Sequence, residues 1–209
     1  MLDNCANWLA FVEGISENRV WTSWSTGRTY YFMDWWGCGL SKAKQYPVSL
    51  KFGDKVVYAP HYYPPNVYPS EYFFGEGFSE LPDYQLKANV QGTFDLMFGY
   101  LTQDPSSPAL VLGEFGGLYT NDLNPGRTIQ RAVNYTVELL MRPGFVGGYM
   151  WSLNPESGYD YNRRNVQGTF KEGLLQNDWR TANEPYLAAL SPTDKMADLK
   201  RLPCFKRAP

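Results

Sequence analysis

The sequence holds a single histidine, His61, in 209 residues, and only three cysteines, Cys5, Cys38 and Cys204, set far apart. One imidazole excludes the multi-histidine metal sites. Three scattered thiols build neither a disulfide scaffold nor a zinc site, and at most one pair leaves one thiol over. Nothing in the composition asks for a metal or a cofactor. Charge is scarce too: 19% of residues, a net charge of −2, and no run of lysines or arginines. That argues against nucleic acid and anionic membranes as partners. No run of about 18 apolar residues is present, and the opening MLDNCANW lacks the basic start and apolar centre of a signal peptide. The expectation is an intracellular chain, or one whose true N-terminus lies upstream.

What the chain does have is apolar and aromatic material. Apolar residues make up 44% and aromatics 17%, with 7 Trp and 16 Tyr. This suffices for the core of one globular domain, or of part of a larger one. The aromatic excess suits a surface that stacks on flat ligands, and equally a large aromatic core.

Short apolar runs alternate with helical patterns. WLAFVEG (8–14) and KVVYAPHYY (55–63) read as strands, with about forty Trp-, Gly- and Ser-rich residues between them that include DWWGCG (34–39). Residues 83–103 place Leu86, Val90, Leu96, Met97, Tyr100 and Leu101 at three- and four-residue spacing, which predicts a helix despite Gly92 and Gly99. LVLGEFGG (110–117) has the apolar density of a strand buried on both faces. RTIQRAVNYTVELLM (127–141) is the clearest helix, stopped by Pro143-Gly144, and FVGGYMWSLNPESG (145–158) reads as a strand running into a polar loop. Asn134-Tyr135-Thr136, a glycosylation sequon, falls inside that helix. VQGTF occurs at 90–94 in a predicted helix and at 166–170 in a predicted loop, so the match is chance and not a repeat.

This order predicts parallel β/α units, whose function sits at the carboxyl ends of the strands. Glu13, His61, Tyr63, Glu114 and Trp151 all fall at or near such ends, which predicts one shared cleft. A carboxylate at the end of a buried strand must be solvated, paired or used, and Glu114 is the sharpest case.

VVYAPHYYPPNVYP, LVLGEFGG, GGYMWSLNPESG and GLLQNDW (173–179) resemble, in that order, the second half of the catalytic domain of glycoside hydrolase family 5, the cellulase family of retaining β-glycanases. WLAFVEG and DWWGCGLSKAKQYPVSL look similar to the unit before it, so the likeness covers nearly the whole chain. The resemblance implies a (β/α)8 TIM barrel of which residues 1–209 hold about strands five to eight, a half barrel. It implies Glu114 as the nucleophile after the seventh strand, Tyr63 as its hydrogen-bond partner, His61 near the acid/base, and Trp151 as the tryptophan facing the sugar at the cleavage point. Without the likeness, a lone histidine and a tryptophan in such a run read first as core residues. Trp35 and Trp36 are candidate sugar platforms, one of the two being core. Residues 64–82 read as a long loop over the same cleft, or as one packed on its own side chains.

The implied partner is a β-linked polysaccharide or oligosaccharide, with no cofactor, and the full-length family member is extracellular. The family's acid/base stands in an Asn-Glu-Pro motif after strand four, upstream of everything present. Asn183-Glu184-Pro185 is a poor substitute, since no apolar strand leads into it and a helical pattern follows; a helix start is the plainer account. Glu13 sits better, but its family counterpart is not the acid. Two other classes stay open: a carbohydrate-binding remnant that has lost catalysis, and an unrelated α/β interaction domain.

Overall fold

A computed structural model describes residues 7–51 and 55–196; Cys5 and Cys204 lie outside them. Its centre is a parallel sheet. Strand β1 (Ala10–Val12) pairs with β4 (Val56–Tyr58), β4 with β6 (Ala109–Gly116), and β6 with β7 (Phe145–Trp151). Between β1 and β4 the chain makes the hairpin β2 (Asn18–Thr22) and β3 (Thr29–Met33). The predicted strand 55–63 breaks at Ala59-Pro60, and its second piece, β5 (His61–Tyr62), pairs with the far end of β6. Two hydrogen bonds bridge the break: Ala59 N–H to the Val12 carbonyl (2.8 Å) and Gly113 N–H to the Pro60 carbonyl (2.8 Å). Proline has no N–H to give a ladder, so the break falls where one donor is missing.

Helix α1 (Asp83–Met97) and helix α2 (Thr128–Leu140) cover the outer face of this sheet. Leu86, Val90, Phe94 and Met97 from α1, and Ala132, Val137 and Leu140 from α2, share one buried core with Tyr58, Tyr62, Leu110, Leu112 and Phe115. The predicted helix 83–103 ends early, as Phe98 turns to φ −159° and Gly99–Gln103 continues as a 3-10 turn. Gly92 is required by packing: a Cβ there would lie 2.2 Å from the Trp21 ring of β2. Helix α2 is capped from a distance, by buried Asp122, whose Oδ2 accepts the Gln130 N–H (3.0 Å).

The inner face differs. Val57, Ala59 and Val111 form a small cluster of their own. Phe11 of β1 and Tyr149 of β7 stay 50% and 59% exposed. These two lie on opposite margins of the sheet, three strand spacings or roughly 14 Å apart if it were flat, yet their rings meet edge to face at 6.4 Å. The sheet is therefore strongly curled, and it curls toward this face.

Past β7 a second hairpin, β8 (Gly158–Asn162) and β9 (Val166–Lys171), precedes the short helix α3 (Glu184–Leu190). The hairpin corrects the predicted loop, because the second VQGTF is strand and the first is helix. Residues 64–82 send Tyr72, Phe73 and Phe74 into the main core, so much of this segment packs on the body of the protein.

Candidate active site

The site is assembled by the register of β5 against β6. His61 pairs with Glu114 and Tyr62 with Phe115, so His61, Tyr63 and Glu114 project on one face by the two-residue period of a strand, while Tyr62 turns into the core. The Tyr63 hydroxyl donates to Glu114 Oε2 at 2.8 Å. Burial first, and then its bond to Glu114, push the Tyr63 hydroxyl well above its ordinary value, so it remains a donor at any working pH. His61 Nδ1 lies 3.5 Å from the same Oε2, and His61 Nε2 lies 3.6 Å from Oε1 of Glu13. Among the described residues, Tyr63 and His61 thus converge on one Glu114 oxygen and leave the other free, on a side chain that is 36% exposed.

Glycines hold the imidazole. A Cβ on Gly37 would stand 2.9 Å from His61 Nδ1, and one on Gly113 would stand 3.0 Å from His61 Nε2 and 2.5 Å from the Ala59 carbonyl. Gly37 has φ +77°, a conformation open to glycine. Its carbonyl accepts N–H groups from Gly14 (2.7 Å) and His61 (3.3 Å), fastening the end of β1 to β5 through the DWWGCG loop.

Trp151 enters from β7, in register with Gly116, two residues past Glu114. Its side chain is half exposed. Trp35 is half-buried and packs against the cluster of Tyr63, Leu118, Ile129 and Tyr159, with Tyr68 at its edge (6.3 Å). Trp36 is 86% exposed. Of the pair, Trp35 is the one built into the core.

Glu184 opens α3, with Pro185 in the first turn, and is exposed. Asn183 is buried and donates to Glu172 Oε1 (2.9 Å). The helix-start account of Asn-Glu-Pro is the observed one. Cys38 is a free, buried thiol whose Sγ donates to Met97 Sδ (3.3 Å). No group of three or more metal-ligating side chains occurs among the described residues. Tyr159, Gly37 and Gly113 are site-shaping residues that the sequence reading did not single out; an isolated glycine inside an apolar strand run, as at Gly113, is the signal for close backbone approach.

Parallel strand–helix units carrying a tyrosine-held carboxylate and a histidine at their carboxyl ends define a β/α protein of the TIM-barrel class, with its polar residues gathered at one end of the sheet. Residues 2–157 match the family "Cellulase (glycosyl hydrolase family 5)", and the chain belongs to that family. It is 32% identical over 179 residues to an endoglucanase of Paenibacillus polymyxa, covering 86% of this chain and 37% of that protein. With the major extracellular endoglucanase of Xanthomonas campestris it shares 29% identity over 183 residues, covering 88% and 31%. Among solved structures, the hyperthermophilic endocellulase of Pyrococcus horikoshii aligns at 32% identity with a TM-score of 0.65, covering 91% of this chain and 44% of that one. The chain spans less than half the length of these relatives.

Proposed function

We propose that this chain is the carboxyl-terminal half of a retaining β-glucanase barrel and supplies the nucleophile side of its active site. The observation that carries the reading is the Tyr63–Glu114 hydrogen bond at 2.8 Å, formed at the carboxyl ends of adjacent parallel strands. The curled sheet with exposed Phe11 and Tyr149 on its inner face supports the half-barrel part, as does coverage of 44% of the Pyrococcus endocellulase. That enzyme has been crystallised as variants in complex with cellotetraose, which supports a β-1,4-linked glucan as the substrate class.

In this mechanism the free oxygen of Glu114 attacks the anomeric carbon. The C1–O bond to the leaving group breaks, the leaving oxygen takes the electron pair, and a glycosyl ester forms on Glu114. Tyr63 and His61 occupy the other carboxylate oxygen and fix the attacking one. A second carboxyl group about 5 Å away protonates the leaving oxygen and then activates water. In this proposal that group comes from the other half of the barrel. Trp151 offers its indole face to the C–H face of the sugar.

The test uses the 209-residue chain with an aryl cellobioside whose phenol has a low pKa. Such a leaving group needs little protonation, and general acid help is worth ~10²–10⁴-fold. The expected result is at most a stoichiometric burst of phenol that then stalls, is absent from Glu114→Ala, and is accompanied by no cellulose hydrolysis. Sugar binding without any burst would favour the carbohydrate-binding remnant instead. Sustained turnover on cellulose would overturn the missing-acid account and direct mutagenesis to Glu13 and Glu184.

A further inference from the structure

We infer that Tyr159 is a positioning residue for this site, acting through Trp151 and Tyr63 and not on the sugar itself; the functional half of this inference rests on the reading of Trp151 as a sugar platform. Tyr159 stands on β8, in the hairpin that follows the last strand of the parallel sheet, and only 2% of its surface is exposed. Its hydroxyl donates to the Trp151 carbonyl at 2.8 Å. The space for that contact exists because residue 116 is a glycine: a Cβ there would lie 2.2 Å from the Trp151 oxygen and 3.4 Å from the Tyr159 hydroxyl. The ring of Tyr159 belongs to the same buried cluster as Tyr63, against which Trp35 also packs. One side chain therefore bonds to the backbone of the exposed tryptophan and shares a buried cluster with the tyrosine that holds Glu114.

The hydroxyl is committed to this role. Burial, followed by the nearby Glu172 carboxylate, pushes it well above its ordinary value, so it stays protonated and donating. The hairpin carrying it is fastened by Asn162, whose Oδ1 accepts the Leu123 N–H (3.0 Å) and whose Nδ2 donates to the Asn121 carbonyl (2.8 Å). A tryptophan whose backbone is held in this way presents its indole to solvent without first having to be ordered, and a pre-ordered platform binds more tightly than a mobile one.

The experiment labels the full chain with 5-fluorotryptophan and reads ¹⁹F spectra, the Trp151 resonance being assigned by its loss in Trp151→Phe. Without ligand, Tyr159→Phe should move or broaden the Trp151 resonance and leave those of Trp8 and Trp24 in place, whereas general loosening of the fold would disturb all three. An unchanged Trp151 resonance overturns the inference. Cellotetraose is then titrated into each protein, and Tyr159→Phe should weaken its affinity roughly three- to tenfold, the scale of one net hydrogen bond. In a Trp151→Ala background the same change should have no further effect, and an equal loss there overturns the inference. A wild-type chain that ignores cellotetraose would sink the functional reading, while the ligand-free resonance still decides the positioning. Should Tyr159→Phe not fold, the unmutated chain carries the test: the Tyr159 phenolic proton should be in slow exchange with water, and fast exchange overturns the contact.

Discussion

Adding one methyl group at residue 113 should loosen the site from beneath. Gly113 is clamped between the Ala59 carbonyl and the His61 ring, and a Cβ there would lie 2.5 Å from the first and 3.0 Å from the second. The carbonyl belongs to the backbone at the break between β4 and β5, where Gly113 N–H also bonds to Pro60, so it cannot swing aside as a flexible side chain would. Overpacking of this kind costs about 1–3 kcal/mol. The entropy lost by removing a glycine from the unfolded chain offsets about 0.5–1 kcal/mol of that. The net destabilisation lies between about 0 and 2.5 kcal/mol and centres a little above 1 kcal/mol, which for a chain of this size lowers Tm by roughly 2–5 °C. Gly158→Ala is the control, since nothing lies within 4 Å of a Cβ at that position, and it should stay within about 0.5 kcal/mol of wild type. The assay is thermal unfolding followed by circular dichroism, extended to Gly113→Ala in a His61→Ala background. Removing the imidazole relieves one of the two collisions, so the double variant should be more stable than the sum of the single ones by at least about 0.5 kcal/mol. A Gly113→Ala protein as stable as Gly158→Ala, or strict additivity with His61→Ala, would refute the clamp.

Three further outcomes are expected. Buried Asp34, its oxygen 2.7 Å from Arg19 Nε, is pushed up to about 6 from 3.8 by burial, with Arg19 opposing. Because its folded pKa is raised, the folded state binds more protons than the unfolded one between pH 4 and 6. Stability should fall by up to about 3 kcal/mol as pH rises through that window, and denaturant melts of Asp34→Asn should lack that slope. Tyr63→Phe removes the 2.8 Å bond to Glu114; at about 1.5–3 kcal/mol for a hydrogen bond to a charged group, the burst on an activated cellobioside should slow roughly ten- to a hundredfold, and an unchanged rate constant would deny Tyr63 its role. The margins at β1 and β7, which no other described strand covers, and the exposed Phe11, Tyr149 and Trp151 should make the isolated chain self-associate, whereas a monodisperse monomer in sedimentation velocity with a cooperative melt would contradict the half-barrel reading.

The parallel strands and both long helices were legible because each has its own period: the apolar run of LVLGEFGG and the face of Ile129, Ala132, Val133, Val137 and Leu140 need no partner to be read. The hairpins were not. The β8–β9 turn puts Arg163 and Arg164 at positive φ, where Asn or Gly would have announced it, and tertiary bonds from Asn162 to the loop after β6 hold it. The β2–β3 pair hides in a Trp- and Ser-rich stretch, and its docking depends on Gly92, 71 residues beyond Trp21. Likewise Glu114, His61 and Tyr63 could be named from strand ends and family likeness, but the sharing of one Glu114 oxygen, the glycine clamp and the reach of Tyr159 depend on register between distant strands. Periodicity carries no information on register.

The identity of the nucleophile is tested most directly by a mechanism-based 2-deoxy-2-fluorocellobioside with an activated leaving group. The fluorine slows hydrolysis of the glycosyl ester, so the attacked residue stays labelled. Mass spectrometry of the digested chain should find the added sugar on the peptide carrying Glu114, at a stoichiometry approaching one, and none on Glu114→Gln. A label on Glu13, Glu184 or any other carboxylate, or equal labelling of Glu114→Gln, would contradict the account.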